Sequence, residues 1–400
     1  MALAGPVDDP YTPLGFLREH DPLHWHDEGG FWVLTRYEDV AKGLRDPRFR
    51  RTAPDGVEAG TWPEDMPSVG SMMENLFLIK DPPDHTRLRG LVSRAFTPAS
   101  IAVMESRIRE LVEELLAGVG GRPTFDLISD FAIPLPSTVI AELLGVPTED
   151  LGRFKAWSDD FTFILDPPPG IDWSVVEGSA LEFTSYVRAL AAERRAAPRE
   201  DLLSALVARH EGDALTEDEL VSTVILLIAA GHETTTNLIG NGVLNFFRHP
   251  DQLERFRSQP DLAPTAVDEI LRFEPPVLAT FRLAGEPIEL HGKTIQPGQD
   301  TMFSFAAGNR DPRAYDHPEQ FDIGRTPNRH LAFGGGAHFC IGAPLARLEG
   351  RIALTSLLER FPALRPAAGA PAPRWRDGLA FRGLDRLVVQ PGTEDLATAS

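Results

Sequence analysis

From Asp84 onward the apolar positions recur at helical spacing, which predicts helices over His85–Phe96, Ser100–Ala117, Ser137–Leu144 and Glu149–Phe163. The Asp166–Pro169 segment, with its run of prolines, breaks the next pair of helices apart and is a candidate lid. The longest element opens at Thr216, where Thr216 and Glu219 have the spacing of a capping box, and runs to about Arg248 ahead of Pro250. Its roughly 30 residues, at 1.5 Å each, give a length of about 45 Å. The middle of this helix, Val221 to Ala230, is apolar around its whole circumference, so it is expected to be buried on every side and to cross the molecule.

Period-two and β-branched patterning is confined to the two ends of the chain. Phe31–Tyr37, after the Gly29-Gly30 turn, reads as a strand, and Glu38–Leu44 as a helix. Proline and glycine then mark an exposed loop from Pro54 to Gly70, before apolar character returns over Ser71–Ile79. Past Pro275-Pro276 come short strand-like pieces at Phe281–Leu283, Ile288–Leu290 and Thr301–Phe305. A turn-rich stretch, Asn309–His330, leads into a glycine-rich loop, Phe333–Gly342, and a last helix, Leu345–Phe361. There is no internal repeat or low-complexity linker, so the expected architecture is one domain over 1–400, mainly α with a minor β region.

Composition changes this picture mainly by exclusion. Across 400 residues, 42% are hydrophobic and 24% charged, which suits a chain that buries a substantial core. A formal net charge of −20 is the wrong sign for a phosphate-backbone binder, so no nucleic acid partner is expected. A single cysteine rules out an internal disulfide and a cluster held by four thiolates of this chain. The first residues, Met1 to Tyr11, form neither a signal peptide nor a membrane span, and a cytoplasmic, unanchored monomer is expected.

That cysteine lies in Phe333-Gly-Gly-Gly-Ala-His-Phe-Cys340-Ile-Gly342, an irregular loop immediately before a helix. Glycines at 334, 335, 336 and 342 permit unusual backbone angles and close approach of a flat ligand. The positive end of the following helix points at Cys340 and is expected to lower its thiol pKa toward the thiolate that metals require. An isolated cysteine is more often a small buried hydrophobe. A thiol hydrolase would need an oriented acid beside His338, and none is evident.

The loop resembles the heme-binding loop of the cytochrome P-450 family, Phe-x-x-Gly-x-His/Arg-x-Cys-x-Gly, whose places are filled by Phe333, Gly336, His338, Cys340 and Gly342. The resemblance continues over nearly the whole chain, from Phe31–Phe49 to Phe381–Leu384. It implies a cytochrome P-450 fold with heme b between the long central helix and the cysteine loop. Cys340 would then be the axial ligand of the iron, donating the electron density that favours O–O cleavage, with Phe333 shielding the sulfur.

Ala230-Gly-His-Glu-Thr-Thr-Thr236 interrupts the long helix with residues that helix interiors disfavour. A His-Glu-x-x-His zinc motif fails because Thr236 stands where the second histidine belongs. The resemblance instead assigns Glu233 as the acid and Thr234 as the adjacent alcohol of a proton relay, because reducing dioxygen in an apolar cavity consumes protons. Ala230 and Gly231 would leave room beside the heme. Thr234 taken alone reads equally as a threonine bonded back to its own helix.

His85 and Arg89, four residues apart, share one helix face and read either as a solvated basic face or as a pair aimed at one ligand. The surrounding Asp81-Pro-Pro-Asp-His85-Thr-x-x-Arg89 run resembles the family's propionate-binding helix, and Arg282 and His338 occupy similar propionate-binding places. Glu269 and Arg272, one turn apart, are expected to pair and lock the loop beneath the heme.

The resemblance implies a monooxygenase that inserts one oxygen atom from dioxygen into a small apolar organic substrate in biosynthetic tailoring or catabolism. Phe77, Phe161, Phe163 and Phe281 are candidate cavity walls, within segments such as Trp62–Ile79 and Trp157–Trp173. No dinucleotide fingerprint occurs, so electrons from NAD(P)H are expected through separate proteins, a ferredoxin and its reductase, with Arg347 a candidate contact. A peroxide-driven peroxygenase and a non-catalytic heme-binding protein are the alternatives.

Overall fold

The computed structural model describes residues 8–54, 63–94, 96–167, 170–208 and 215–392. After α1 (Tyr11–His20), β1 (Leu23–His26) and β2 (Phe31–Leu34) form a hairpin with Trp25 opposite Trp32. The expected first strand stops at Leu34 because α2 (Tyr37–Gly43) is already under way three residues later. β3 (Phe49–Arg50) follows. Of the loop expected from Pro54 to Gly70, residues 55–62, including Trp62, lie outside the described residues, and Pro67 opens α3 (Pro67–Asn75) from its first turn, where a missing N–H costs nothing.

The helical middle comprises α4 (Asp84–Ser93), α5 (Pro98–Val119), a two-residue β4 (Phe125–Asp126), α6 (Pro134–Leu144), α7 (Leu151–Leu165), α8 (Trp173–Ala196), α9 (Leu202–Val207) and α10 (Glu217–Arg248). Pro168 and Pro169 of the expected break lie outside the described residues. The α10 start is the capping box read from the sequence: the Glu219 amide donates to Thr216 Oγ1 at 3.1 Å and the Thr216 amide to Glu219 Oε2 at 2.9 Å. With 32 residues, α10 is about 48 Å long. It is buried along almost its whole length because two apolar cores meet on it, one shared with α5 and the later helices and one with α3, α6, α7 and α8.

Beyond α10 come α11 (Pro250–Ser258), α12 (Ala263–Phe273), β5 (Ala279–Ala284), the β6–β7 hairpin (Ile288–Leu290, Lys293–Ile295) and β8 (Asp300–Ser304). The short α13 (Phe305–Gly308), α14 (Ala343–Arg360), β9 (Arg365–Pro366) and β10 (Val388–Gln390) complete the chain, and β10 pairs with both β4 and β9. The main sheet runs β1-β2-β8-β5-β3, parallel only where β2 meets β8. Phe49 pairs with Ala284 and Arg50 with Leu283, so the next step along β3 carries Arg51 toward Arg282.

Candidate active site

Midway along α10, Ala230 is exposed although its neighbours Ala229 and His232 are buried, because it faces a cavity of about 450 Å³ inside the molecule. Cys340 and Phe333 lie on another wall of the same cavity. Gly231 also borders it, but the space of its missing Cβ is taken by packing: a Cβ there would stand 3.1 Å from the Ile140 side chain of α6.

The cysteine loop depends on one glycine in particular. Gly336 has φ +65°, and a Cβ on it would lie 2.2 Å from the Leu44 carbonyl oxygen at the end of α2. Only glycine both adopts that conformation easily and lets the two backbones touch. The Cys340 amide then donates to the Phe333 carbonyl at 2.9 Å, and α14 begins three residues on. Burial pushes the Cys340 thiol above its ordinary value, against the opposing pull of the Gly342 and Ala343 amides, Arg89 and Arg347. The expectation that the helix end lowers this thiol is thereby corrected: the helix acts in the expected direction, but desolvation of a sulfur anion outweighs it. A bound cation can supply the missing stabilisation of the thiolate.

The cavity edge near α4 gathers positive charge. Arg89 donates to the Phe339 carbonyl at 2.5 Å, and Arg282 to the Phe281 carbonyl at 2.8 Å and to Thr280 Oγ1 at 3.2 Å. His85 and His338 face each other with ring centroids 4.0 Å apart. Arg51, which sequence reasoning missed, joins them through its bonds to the Phe281 carbonyl (3.0 Å) and Thr280 Oγ1 (3.1 Å).

These groups are mutually unfavourable as they stand. Burial, then neighbouring arginines, push His85 down to about 4 and His338 down to about 2. Burial also lowers Arg282 to about 10, and burial with the Arg282 charge lowers Arg51. Both ring nitrogens of His85 and Nε of Arg51 are buried with no partner. Buried donors and like charges gathered in this way call for an anion. A flat apolar macrocycle carrying two carboxylates on one edge, with a metal for Cys340, fits this donor set.

Glu233 and Thr234 are adjacent but differently engaged. The Thr234 hydroxyl, on the cavity wall, donates to the Ala230 carbonyl at 2.8 Å, the back-bonded arrangement. Glu233 is 3% exposed; it accepts from Asn237 Nδ2 at 2.9 Å and is ion-paired with Arg376, a partner that sequence reasoning also missed. Burial raises this carboxyl, but Arg376 and Asn237 together hold it below its ordinary value. Thr236 is spent on structure, donating to the Ala132 carbonyl at 3.0 Å.

Glu269 and Arg272, both fully buried, form a two-pronged pair at 2.7 and 2.8 Å. Arg272 also donates to the carbonyls of Asn309, Pro318 and Gln320, and Asn309 Oδ1 accepts from the Leu331 amide at 2.7 Å. The pair therefore fixes the meander that enters the cysteine loop. Arg347 is held by Asp268 at 2.7 Å and lies over the Phe333 ring, 4.6 Å from its centroid. Phe77, Phe161 and Phe281 line the cavity. Phe163 does not: helical spacing puts Thr162 and Leu165 beside Phe161 on the cavity face.

The sequence pattern of the cytochrome P-450 family matches residues 71–374. The chain belongs to that family. Its relatives include cytochrome P-450 CYP107DY1 of Priestia megaterium, 43% identical over an alignment of 386 positions that covers 90% of this chain and 93% of that protein. The polyketide biosynthesis cytochrome P-450 PksS of Bacillus subtilis is 38% identical over an alignment of 394 positions that covers 95% of each chain. The solved structure of the myxobacterial cytochrome P-450 CYP267B1 with myristic acid superimposes with a TM-score of 0.89 at 40% identity, covering 96% of this chain and 97% of that one. Like these cytochromes P-450, the protein is a heme-dependent monooxygenase whose cofactor is heme b and whose electrons derive from NAD(P)H. No helix among the described residues is long and apolar enough to cross a membrane.

Proposed function

We propose that this cytochrome P-450 holds its iron through Cys340 and its heme carboxylates through His85, Arg89, Arg282 and His338, with Arg51 as a further cation, and oxidises an apolar organic substrate in biosynthetic tailoring. The observation that carries the reading is the juxtaposition of one thiol with Arg51, Arg89, Arg282 and His338 on the walls of a single apolar cavity, with the buried, partnerless His85 ring packed against His338. Heme bound there supplies the redox chemistry of dioxygen activation. Cys340 provides the anionic sulfur, and Phe333, pinned by Arg347, covers that side of the loop.

Thr234 and Glu233 supply protons. With its own hydrogen given to the Ala230 carbonyl, the Thr234 oxygen presents lone pairs to the cavity and accepts a hydrogen bond from what enters. Glu233, one residue on toward the protein interior, is the ionisable group that recharges it. The walls are dominated by Phe77, Leu78, Phe161, Leu226, Phe281 and Phe381, which suit an apolar substrate of medium size. A ferredoxin and its reductase deliver the electrons to a single heme domain spanning 1–400. Phe339, 44% exposed one residue before Cys340, offers such a partner an apolar contact. The lone cysteine, which a reducing compartment keeps as a thiol, supports a cytoplasmic location.

The test is the carbon monoxide spectrum of the reduced protein. A red-shifted Soret band is expected; an unshifted band in folded, heme-loaded protein overturns thiolate ligation. Macrolides, terpenoids, steroids and fatty acids are then screened for the spectral shift that reports substrate beside the heme. With a substrate found in that screen, Thr234→Ala is expected to separate electron consumption from product formation, and unchanged coupling counts against the relay.

A further inference from the structure

His232 is a buried titratable side chain that the chemistry above does not use. It is 3% exposed and points away from the main cavity, into the seam between α10 and α7. Its Nδ1 lies 3.2 Å from the Ser158 hydroxyl, and its Nε2 has no partner. Ring nitrogen of His232, carboxylate of Glu233 and carboxylate of Asp159 all come within 4.8 Å of one another. Asp159 is half-buried, paired with Lys155 at 2.5 Å, and so reaches solvent on the outer side of α7. Beside His232 a separate cavity of about 10 Å³, bordered by Ser158 and Lys155, is close to the roughly 10–15 Å³ that one water needs.

The groups around His232 suit protons rather than a metal ion. Lys155 and Arg376 place two cations on the same two carboxylates, which a divalent cation would have to displace. The imidazole itself is held down by burial, and Glu233, Asp159, Lys155 and Arg376 are the charged groups that act on it. A neutral imidazole keeps one acceptor nitrogen, so it can take up a proton from one carboxylate and release it to the other.

Glu233 also needs an entrance of this kind. Its Oε1 already accepts from both Asn237 and Arg376, whereas Oε2 accepts only from Arg376, at 3.3 Å, and keeps a free lone pair. Arg376 is partly exposed, but a guanidinium does not release its proton at physiological pH, so it anchors Glu233 without recharging it.

We propose that His232 and Asp159 form the route by which solvent protons reach Glu233, which deepens the proton-supply reading of Glu233 and Thr234 and rests on it. A proton from solvent joins the Asp159 carboxylate. It passes, directly or through one water, to the ring nitrogen of His232 that lies within 4.8 Å of both carboxylates, and the imidazolium so formed releases a proton from that same nitrogen to Glu233. One proton leaves solvent, one arrives at Glu233, no electron moves, and the imidazole returns to its starting neutral state.

The first test needs no substrate. In the diamagnetic ferrous–carbon monoxide form, with 15N-labelled histidine and His232→Gln to assign the signal, Asp159→Asn is expected to slow solvent exchange of the His232 ring proton by about tenfold. Because Asp159 is at the surface, this variant is expected to fold. An unchanged exchange rate overturns the proposal. The second test uses myristic acid as probe, or the first fatty acid or steroid of the screen that shifts the Soret band. His232→Gln and Asp159→Asn are each expected to lower product formed per electron pair severalfold with dioxygen, while the thiolate-type spectrum is kept. Parental coupling in both variants overturns the His232 route alone; parental coupling in Thr234→Ala overturns the proton-supply reading beneath it.

Discussion

Arg51→Met is expected to move the stability of the heme-free protein and the retention of heme in opposite directions. In the absence of heme the Arg51 guanidinium is buried beside Arg282, with Nε unpartnered, and its charge further depresses His338. Two like charges a few ångström apart at a protein edge repel by on the order of 1–4 kcal/mol, and methionine fills a similar volume without charge. The apoprotein is therefore expected to gain about 1 kcal/mol after loss of the bonds to Thr280 and Phe281 is offset. With heme bound the same guanidinium faces a carboxylate, and a hydrogen bond to a charged group contributes about 1.5–3 kcal/mol. At 1.4 kcal/mol per factor of ten, Arg51→Met is then expected to release heme about ten to a hundred times faster. Apoprotein melting followed by circular dichroism, and heme transfer to excess apomyoglobin followed in the visible, read the two effects. Heme loss within about twofold of the parent, or a destabilised apoprotein, would refute the assignment of Arg51 to the heme carboxylates.

Further outcomes follow from other buried groups. Glu349 on α14 is 2% exposed with Oε2 unpartnered, and burial pushes it up from 4.5 to about 8. An acid whose folded value is raised is neutral in the fold, so its stability contribution is full below the unfolded value and declines as pH rises through that window; Glu349→Gln is expected to exceed the parent by up to about 3 kcal/mol at pH 7 and by little at pH 4 in urea unfolding. Arg272→Ala leaves the fully buried Glu269 carboxylate only its longer ion pair with Arg325 at 3.2 Å and strips three carbonyls of a donor, and a cost of about 3 kcal/mol with a reduced heme-to-protein ratio on purification is expected. Asp166 accepts from the successive amides of Leu379, Ala380 and Phe381 at 2.8–2.9 Å, joining the end of α7 to the loop that carries the cavity residue Phe381. Asp166→Asn replaces one acceptor oxygen by a donor, and loss of about 1–3 kcal/mol from this clasp is expected to speed ligand entry and exit in stopped-flow traces of the spectral shift.

The sequence alone was enough for features whose cause is local. Thr216 and Glu219 set the start of α10, and the apolar run after them requires burial on every side. The Phe333–Gly342 spacing was legible as a motif, although the reason Gly336 must be glycine, its approach to the distant Leu44 carbonyl, is tertiary. Helix spacing put His85 and Arg89 near enough for the arginine charge to act on the imidazole, and Glu269 and Arg272 within reach of each other.

What the sequence did not reveal depends on partners far apart in the chain. Arg51 is unremarkable until the β3–β5 register brings it toward Arg282, and Arg376 until its loop folds across α10 onto Glu233. Glu349 is unremarkable in the sequence until α14 docks and buries it beside the cavity. Phe163 was expected in the cavity wall because sequence proximity to Phe161 says nothing of helix phase once α7 is docked. The state of Cys340 is likewise a tertiary matter: the loop and the helix end that favour its thiolate are local, but the burial that opposes them is set by everything packed around the cavity.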